Sequence, residues 1–190
     1  LSSAASDVYK RQEKNNGLKS PRVGLVNNGT EDTKGDPLRR EAYALLKAAG
    51  DAGRLNFVGN VEGSQVPLGA CDVAVCDGFM GNVLLKTVEG TAKFMAHEIK
   101  KVFTASAGTK IGYLLCKKGM DDFREMFNQD KVGGAPFLGI AKPVIKAHGN
   151  SNARAIFCAI RQAKSMVDGG VVDVIREEVA KLSVEDEKEE

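Results

Sequence analysis

One segment, residues 71–103, constrains the fold of this chain more than any other, because it reads as a strand, a turn and a long helix. Residues 71–76 (CDVAVC) are mostly small or apolar, which is typical of a buried strand. Residues 77–82 (DGFMGN) interrupt this pattern with two glycines, and a helical period then continues to about Phe103. In open α/β sheets such a turn lies outside the carboxyl end of a strand, where ligands bind. Because a helix start leaves backbone N–H groups unbonded, the site predicted here favours an anion.

The residues before this segment predict a further strand, helix and strand. Residues 22–27 (RVGLVN) read as a strand, and a polar loop with two glycines follows at 28–35. A helix is then predicted with Asp36 as its N-cap and Pro37 in its first position, two residue types that favour these places. A short strand at 55–59 follows, and strands that alternate with helices in this way are typical of a parallel sheet. The apolar face of the helix is predicted to consist of Leu38, Tyr43, Ala44, Leu45 and Leu46.

The rest of the chain predicts mostly helices. In chain order these elements are a helical region at 104–131, a strand at 143–147 and helices at 153–167 and 171–182. Residues 1–19 are polar and aperiodic, and we interpret them as a non-native or disordered leader. The acidic residues 183–190 are interpreted as a disordered tail. The inward face of the helix at 153–167 is predicted to consist of Ile156, Phe157, Ile160 and Ala163.

Composition argues against several function classes. A formal net charge of +2 gives no electrostatic case for nucleic acid, and an aromatic content of 6% argues against a base-stacking surface. Only two histidines are present and no CxxC pair occurs, which argues against zinc. No secretory signal or membrane-spanning apolar run is visible, so a reducing cytoplasm is the default location. Cys71, Cys76 and Cys158 lie in apolar segments and read as buried, reduced thiols.

Three polar residues each follow a predicted strand: Lys34, Asn82 and His148. Because loops after successive strands of a parallel sheet leave from the same edge, we expect these three residues to converge. A lysine there would supply a mobile positive charge for phosphate, and an asparagine amide would donate to an oxyanion. A histidine would transfer protons near neutral pH. The alternative for each is structural: a solvated lysine, an N-cap asparagine and a histidine that supports local backbone.

Glycines beside these residues have the same two interpretations. In 77–82, Gly78 and Gly81 either permit a sharp turn or let an oxyanion approach backbone N–H groups beside Asp77. Gly133 and Gly134 form either a plain turn or a wall of the binding pocket. None of these clusters is a GxGxxG or Walker pattern, so no dinucleotide or nucleoside triphosphate is indicated.

An apolar stretch within the helical region at 104–131 has lysines on both sides. Lys110 precedes it and Lys117 follows it. Such a segment either packs on the protein or a partner subunit, or rests on an anionic membrane surface. Its candidate membrane-contact residues are Ile111, Tyr113, Leu114 and Leu115.

Four motifs, in this order, resemble one known family. They are PRVGLVN at 21–27, NFVGNVE at 56–62, DGFMGNV at 77–83 and KPVIKAHG at 142–149. The sequence between Pro21 and Glu178 closely resembles the bacterial phosphate acyltransferase of phospholipid synthesis (acyl-acyl-carrier-protein:phosphate acyltransferase). The resemblance covers only the C-terminal half of such an enzyme.

This resemblance implies an α/β fold of a specific kind. It implies a three-layer α/β/α Rossmann-like parallel sheet of the isocitrate and isopropylmalate dehydrogenase type, truncated at the N-terminus, with a helical protrusion at about 104–131. The acyltransferase domain would occupy residues 20–182, between the leader at 1–19 and the tail at 183–190. Because the preceding half is absent, the strand at 22–27 is expected to lie at an open, hydrophobic sheet edge.

The resemblance also implies an activity. It implies reversible transfer of a long-chain fatty acyl group from acyl-acyl-carrier protein to inorganic phosphate, with no cofactor and no metal. Lys34 and Asn82 match the family's catalytic positions, and His148 is the alternative proton-transfer residue. Phosphate would be held by Lys34 and by backbone N–H groups near Gly81 and Asn82. The resemblance further implies a homodimer in the cytoplasm that is peripherally associated with the inner face of the cell membrane. Candidate phosphate-binding residues are Asp77, Gly78, Gly81, Gly133 and Gly134.

Two other functions are compatible with the sequence. One is a phosphotransacetylase-like enzyme, which would use coenzyme A thioesters and a similar phosphate site. The other is a non-catalytic fragment that binds a membrane surface or a protein partner. A decarboxylating dehydrogenase would share the architecture, but its metal-binding carboxylates and nucleotide motif are not visible.

Overall fold

A computed structural model of the protein describes residues 19–127 and 133–177. All but the last residue of the predicted leader, and all of the predicted acidic tail at 183–190, lie outside these residues. The predicted helix at 171–182 is described up to residue 177, and the predicted protrusion at 104–131 up to residue 127.

Helices and strands alternate through the first part of the chain, as the sequence predicts. The strands are β1 (Arg22–Asn27), β2 (Asn56–Glu62), β3 (Val73–Val75), β4 (Ala135–Phe137) and β5 (Val144–Lys146). The helices are α1 (Pro37–Asp51), α2 (Gly78–Thr104), α3 (Ala107–Met126), α4 (Ala153–Asp168) and α5, described over 171–177. The fold is therefore α/β.

Strands β1, β2 and β3 form a parallel sheet in the order β2-β1-β3, which confirms the predicted parallel pairing. Val23 of β1 lies opposite Phe57 on one side and Val73 on the other. The expectation of an open edge at β1 is therefore wrong. Strand β1 is paired with β2 on one side and with β3 on the other, so it is central, and β2 and β3 form the edges of the described sheet.

The main core lies between this sheet and α1. Val23 and Leu46 are fully buried, and Ala42 lies one turn before Leu46 on the same face of the helix. The side chains of Leu38 and Leu45 are about half exposed and Ala44 is also exposed, so the predicted apolar face of α1 is wrong at these three positions. The helix contacts the sheet along a narrow stripe, and the remaining core members are Leu25, Leu55, Val73 and Val75.

Strands β4 and β5 form a separate antiparallel pair in which Pro136 lies opposite Ile145. The predicted strand at 143–147 is confirmed as β5, but β5 is not part of the parallel sheet. The argument that placed His148 at the edge of a parallel sheet therefore does not apply, because this histidine follows an antiparallel strand.

Helix α4 buries small residues in its first two turns and one large residue, Met166, near its end. Ile156, Phe157 and Ile160 are exposed, so the predicted inward face of this helix is wrong, and Ala163 is half-buried. The reason is the close approach of Gly133, where an added Cβ would lie 2.3 Å from the backbone nitrogen of Ala159. Only a face of small side chains permits such an approach. The buried residues of α4 are Ala155, Cys158, Ala159 and Met166.

The chain divides into two compact units. The described residues up to Cys76 and from Gly133 onward form the first unit, and those from Asp77 to 127 belong to the second. The second unit consists of α2 and α3, which contact each other. The rings of Phe103 and Tyr113 pack edge-on at a centroid distance of 5.5 Å. Helix α2 has no buried residue along its 27 positions.

Candidate active site

The first candidate residue, Lys34, lies in the loop between β1 and α1. Two buried asparagines hold this loop. Asn27, the last residue of β1, is 8% exposed, and Asn60 of β2 is 5% exposed. The Nδ2 group of Asn27 donates to the carbonyl oxygen of Lys34 at 3.0 Å and to Oδ1 of Asn60 at 3.2 Å. The Nδ2 group of Asn60 donates to the carbonyl oxygen of Glu31 at 2.6 Å. The loop is thus attached to both strands.

The side chain of Lys34 itself points to solvent. It is 46% exposed, and its Nζ lies 3.7 Å from Oε1 of Glu31, which is also exposed. An exposed ion pair of this kind stabilises a protein by at most about 1 kcal/mol. The ammonium group can therefore exchange this carboxylate for a phosphate oxygen at little cost.

Gly35 makes the attachment of the loop possible. Its φ of +96° lies in the region that favours glycine. A Cβ at this position would lie 2.8 Å from Oδ1 and 2.9 Å from Nδ2 of Asn27. The amide of Asn27 therefore packs directly over the Gly35 backbone.

The second candidate cluster begins the other unit. Asp77 is the N-cap of α2, because its Oδ1 accepts from the backbone nitrogen of Met80 at 2.8 Å. The Gly81 backbone nitrogen donates to the carbonyl oxygen of Asp77 at 2.9 Å. Asn82 lies in the second turn of the helix, so its alternative interpretation as an N-cap is wrong.

The hydrogen bonds at the start of α2 determine which backbone N–H groups are available to bind an anion. The N–H group of Gly81 already has an acceptor, so the predicted contribution of N–H groups near Gly81 and Asn82 is wrong at Gly81. The N–H groups that such a start leaves without an intrahelical partner are those of Gly78 and Phe79. The carboxylate of Asp77 caps the same end, and its negative charge opposes direct contact between Asp77 and a phosphate ion.

The remaining candidates lie around β4 and β5. His148 is exposed, and its carbonyl oxygen accepts from the backbone nitrogen of Ser151 at 3.1 Å in the turn after β5. An added Cβ at Gly134 would lie 2.5 Å from the carbonyl oxygen of Lys146. Gly133 is buried against α4 with a φ of +82°. Both glycines therefore allow close backbone packing, which favours the structural interpretation over a pocket wall.

The structure brings together only part of the predicted site. The parallel register places the carboxyl ends of β1, β2 and β3 at one edge of the sheet, and the Lys34 loop leaves from this edge. Asp77, Gly78, Gly81 and Asn82 belong to the second unit. The convergence of Lys34 with Asn82 and His148 stays a prediction.

Sequence reasoning missed Asn27 and Asn60. A signal was present, because both are amides inside segments that read as strands, where an unpaired polar side chain is costly. Buried amides at strand ends usually hold something in place, and here that is the loop with Lys34.

The opposite edge of the sheet carries a charged cluster with a structural role. The guanidinium group of Arg22 donates to Asp72 through Nε and Nη2, both at 3.0 Å, and to the carbonyl oxygens of Gly69 and Ala70. Hydrogen bonds from Arg22 lower the pKa of the Asp72 carboxyl group below its usual value. This cluster joins the starts of β1 and β3.

The cysteines differ in exposure. Cys158 is buried as predicted, whereas Cys71 and Cys76 are only half-buried. Burial raises the pKa of the Cys71 thiol, so this thiol is protonated at neutral pH. Across residues 19–127 and 133–177, no group of three or more histidine, cysteine or acidic side chains is arranged to hold a metal ion. Over the same ranges, no helix is long and apolar enough to cross a membrane.

Comparisons with known proteins agree with the four motifs. The family model described as "Fatty acid synthesis protein" matches residues 5–174, a range that begins within the segment predicted above as a leader. The chain is 46% identical over 168 residues to a protein of Thermoanaerobacter pseudethanolicus named phosphate acyltransferase, covering 88% of this chain and 49% of that protein.

Two further relatives carry the same name. The chain is 47% identical to the phosphate acyltransferase of Caldanaerobacter subterraneus subsp. tengcongensis, covering 86% of this chain and 48% of the relative. It is 45% identical to that of Lysinibacillus sphaericus, covering 94% of this chain and 52% of the relative. The chain thus spans about half the length of the curated relatives that it matches. These matches confirm the resemblance that the four motifs indicated. The chain belongs to the fatty acid synthesis protein family that includes the phosphate acyltransferases.

Proposed function

We propose that this protein takes part in the reversible transfer of a long-chain fatty acyl group from acyl-acyl-carrier protein to inorganic phosphate. The product, an acyl phosphate, would serve phospholipid synthesis. The observation that carries this proposal is the identity of 45–47% to three proteins named phosphate acyltransferase. The exposed ammonium group of Lys34, on a loop held at the carboxyl edge of a parallel sheet, supports it as a phosphate-binding group.

The proposed reaction needs no covalent enzyme intermediate. A phosphate oxygen, held by Lys34, attacks the thioester carbonyl carbon, and the new carbon–oxygen bond forms as the carbon–sulfur bond breaks. The carrier thiolate leaves and takes a proton from solvent. The side-chain amide of Asn82 donates to the oxyanion that develops on the carbonyl oxygen. His148 is the alternative group for proton transfer.

The start of α2, taken by itself, is also a candidate contact for an anion. The N–H groups of Gly78 and Phe79, together with the positive end of the helix dipole, favour an anion. In this proposal Asp77 holds the turn by accepting a hydrogen bond from the backbone nitrogen of Met80 rather than by binding phosphate.

The finer fold class, a three-layer sheet of the isocitrate dehydrogenase type, is also proposed, and the parallel order β2-β1-β3 supports it.

The test is to incubate the purified chain with palmitoyl-acyl-carrier protein and inorganic phosphate, and to trap acyl phosphate with hydroxylamine. Hydroxamate that forms only with phosphate would support the proposal. Its absence from a folded sample would contradict acyl transfer by this chain. Acetyl hydroxamate from acetyl coenzyme A would support the phosphotransacetylase-like alternative instead.

Substitutions in the same assay test the residues. Asn82→Ala should lower kcat by about a hundredfold, the usual effect of losing one oxyanion donor. Lys34→Ala should raise the KM for phosphate, whereas Lys47→Ala should not. Lys47 is a matched control, because it is also an exposed lysine in an exposed ion pair, 3.8 Å from Asp51.

We also propose that α3 contacts an anionic membrane surface and that the protein is a cytoplasmic homodimer. Support for the membrane contact is the exposure of Ile111, Leu114 and Leu115, while Tyr113 is half-buried beside Phe103. The test is cosedimentation with vesicles that contain phosphatidylglycerol. Leu115→Glu should weaken binding and Leu68→Glu should not, because Leu68 has the same exposure, 85% against 84%, outside α3. Equal vesicle binding by both variants would contradict the membrane contact. The mass of the protein in solution, measured by sedimentation velocity, tests the proposed dimer.

A further inference from the structure

We propose that Asn27 and Asn60, here called the asparagine pair, are positioning residues that determine phosphate affinity by fixing the backbone that carries Lys34. This inference rests on the proposed function, because it takes Lys34 as the phosphate-binding group. It adds two residues that touch neither phosphate nor the acyl group.

The hydrogen bonds of the asparagine pair are directed at the loop that carries Lys34. Asn27 Nδ2 has two hydrogens, and its two acceptors are the Lys34 carbonyl oxygen and Asn60 Oδ1. Its Oδ1 accepts from the backbone nitrogen of Asn28 at 2.9 Å. The Nδ2 group of Asn60 in turn donates a hydrogen bond to the Glu31 carbonyl oxygen at 2.6 Å. The pair therefore holds both Glu31 and Lys34.

The asparagine pair is anchored in the parallel sheet. Asn27 ends β1, and Asn60 lies in β2 opposite Leu25. Strand β1 is paired with β3 as far as Leu25 and with β2 as far as Asn27, so β2 holds the end of β1 that carries the pair. Both asparagines are nearly excluded from water, so a lost partner would not be replaced by solvent without cost.

Few other contacts fix Lys34 among those of the described residues. Its backbone nitrogen donates to the Glu31 carbonyl oxygen at 3.2 Å, and its ammonium group makes the exposed ion pair with Glu31. Both contacts lie within the loop itself, so they move with it. Only the asparagine pair connects this turn to the sheet among the contacts described for Lys34 and Glu31. Loss of the pair should thus let the ammonium group occupy a wider volume and bind phosphate more weakly.

The first experiment measures loop order without any assay of activity. Hydrogen exchange by mass spectrometry should show faster exchange in residues 29–35 of Asn60→Ala than in the unsubstituted chain. Asn56→Ala is the matched control, because Asn56 is also in β2 and donates to one loop carbonyl, that of Ser20, at 3.0 Å. Unchanged exchange in 29–35 of Asn60→Ala would overturn the proposal.

The second experiment asks whether the pair acts through Lys34. The probe is inorganic phosphate, with its Kd measured by isothermal titration calorimetry for Asn60→Ala, Lys34→Ala and the double variant. We expect Asn60→Ala to weaken phosphate binding about tenfold. In the Lys34→Ala background the same change should have less than about a twofold effect, because interacting residues are not additive. Equal effects in both backgrounds would overturn the proposal by showing a general structural role.

A third measurement separates positioning from chemistry. In the acyl transfer assay, Asn60→Ala should raise the KM for phosphate and leave kcat within about twofold. A fall in kcat with an unchanged KM would overturn the proposal. If Asn60→Ala does not fold, Asn60→Ser serves in its place, because its hydroxyl is too short to reach the Glu31 carbonyl.

The two proposals fail in different ways. If the chain binds phosphate and the asparagine pair affects that binding through Lys34, while no acyl phosphate forms, only the proposed function fails. If acyl phosphate forms and the asparagine variants bind phosphate normally, only the positioning role fails.

Discussion

At the scale of single residues, glycines and buried amides determine the shape of the Lys34 loop. Gly35 adopts a φ of +96° while the amide of Asn27 packs over its Cα. A residue with a Cβ meets two obstacles there, the left-handed backbone and the amide itself. A polar side chain that is buried near a strand end thus depends on a glycine eight positions later.

The first prediction compares two glycines with positive φ. Gly35→Ala should lower the free energy of unfolding by more than about 2 kcal/mol, because backbone strain adds to displacement of the Asn27 amide. Gly53→Ala should cost only about 1–2 kcal/mol, since nothing lies within 4 Å of an added Cβ there. Urea unfolding followed by circular dichroism measures both. Equal losses would contradict the described contact between Gly35 and Asn27.

The second prediction concerns Asp72, whose pKa is lowered by hydrogen bonds from Arg22. A carboxyl group with a lowered pKa stabilises the fold above its unfolded pKa, and this stabilisation is lost as pH falls through the folded pKa. Asp72→Asn should therefore lower the melting temperature at pH 7, and the difference from the unsubstituted chain should shrink as pH falls below about 4.

Thermal melts between about pH 3 and about pH 7 measure this dependence, because this range begins about one unit below the unperturbed pKa of an aspartate and ends about three units above it. Asp51→Asn is the control, because Asp51 is an exposed aspartate in an exposed ion pair, 3.8 Å from Lys47. A difference for Asp72→Asn that grows toward low pH would contradict the ion pair with Arg22.

At the scale of elements, α1 shows how a helix is determined both by its ends and by one narrow face. Asp36 Oδ1 accepts from the backbone nitrogen of Arg39 at 2.9 Å, and Pro37 occupies the first helical position. Its contact with the sheet depends on Ala42 and Leu46, with Tyr43 packed edge-on against Phe57 at a centroid distance of 5.3 Å.

The third prediction compares two adjacent leucines of α1. Leu46→Ala should destabilise the protein by about 2–5 kcal/mol, because it removes a fully buried side chain from the core. Leu45→Ala should cost less than about 1 kcal/mol, since Leu45 is 47% exposed. Helix propensity is the same for both substitutions, so the difference isolates burial. Equal losses would contradict the described orientation of α1.

At the scale of the whole molecule, the two units differ in how much they bury. The first unit contains the two clusters of buried apolar residues, whereas α2 has none. Helices α2 and α3 also carry large exposed apolar side chains, which on other proteins mark contact surfaces. Those that are more than 60% exposed are Phe79, Phe94, Val102, Ile111, Leu114 and Leu115.

The fourth prediction follows from this difference. Amide hydrogens of α2 (Gly78–Thr104) should exchange faster than those of β1 (Arg22–Asn27), because exchange requires only local opening where few apolar contacts are lost. Hydrogen exchange by mass spectrometry at two protein concentrations measures this. Protection of α2 equal to that of β1 at both concentrations would contradict the burial pattern described here.

The sequence predicted features that depend on neighbours along the chain. The N-cap Asp36, Pro37 after it and the end of α2 near Phe103 are confirmed, because caps and helical periods are local signals. The parallel pairing of β1, β2 and β3 is also confirmed. It was predictable because strands that alternate with helices along the chain permit few topologies. The four motifs also predicted the family.

Only the tertiary structure decided which faces are buried and which side chains meet. Ile156, Phe157 and Ile160 read as the core of α4, but the close approach of Gly133 requires small residues there, and this requirement comes from a distant part of the chain. Asn27 and Asn60 meet although 33 positions separate them, because parallel pairing brings their strands together. Periodicity reports a helix or strand by itself, whereas burial and side-chain contacts depend on what packs against it.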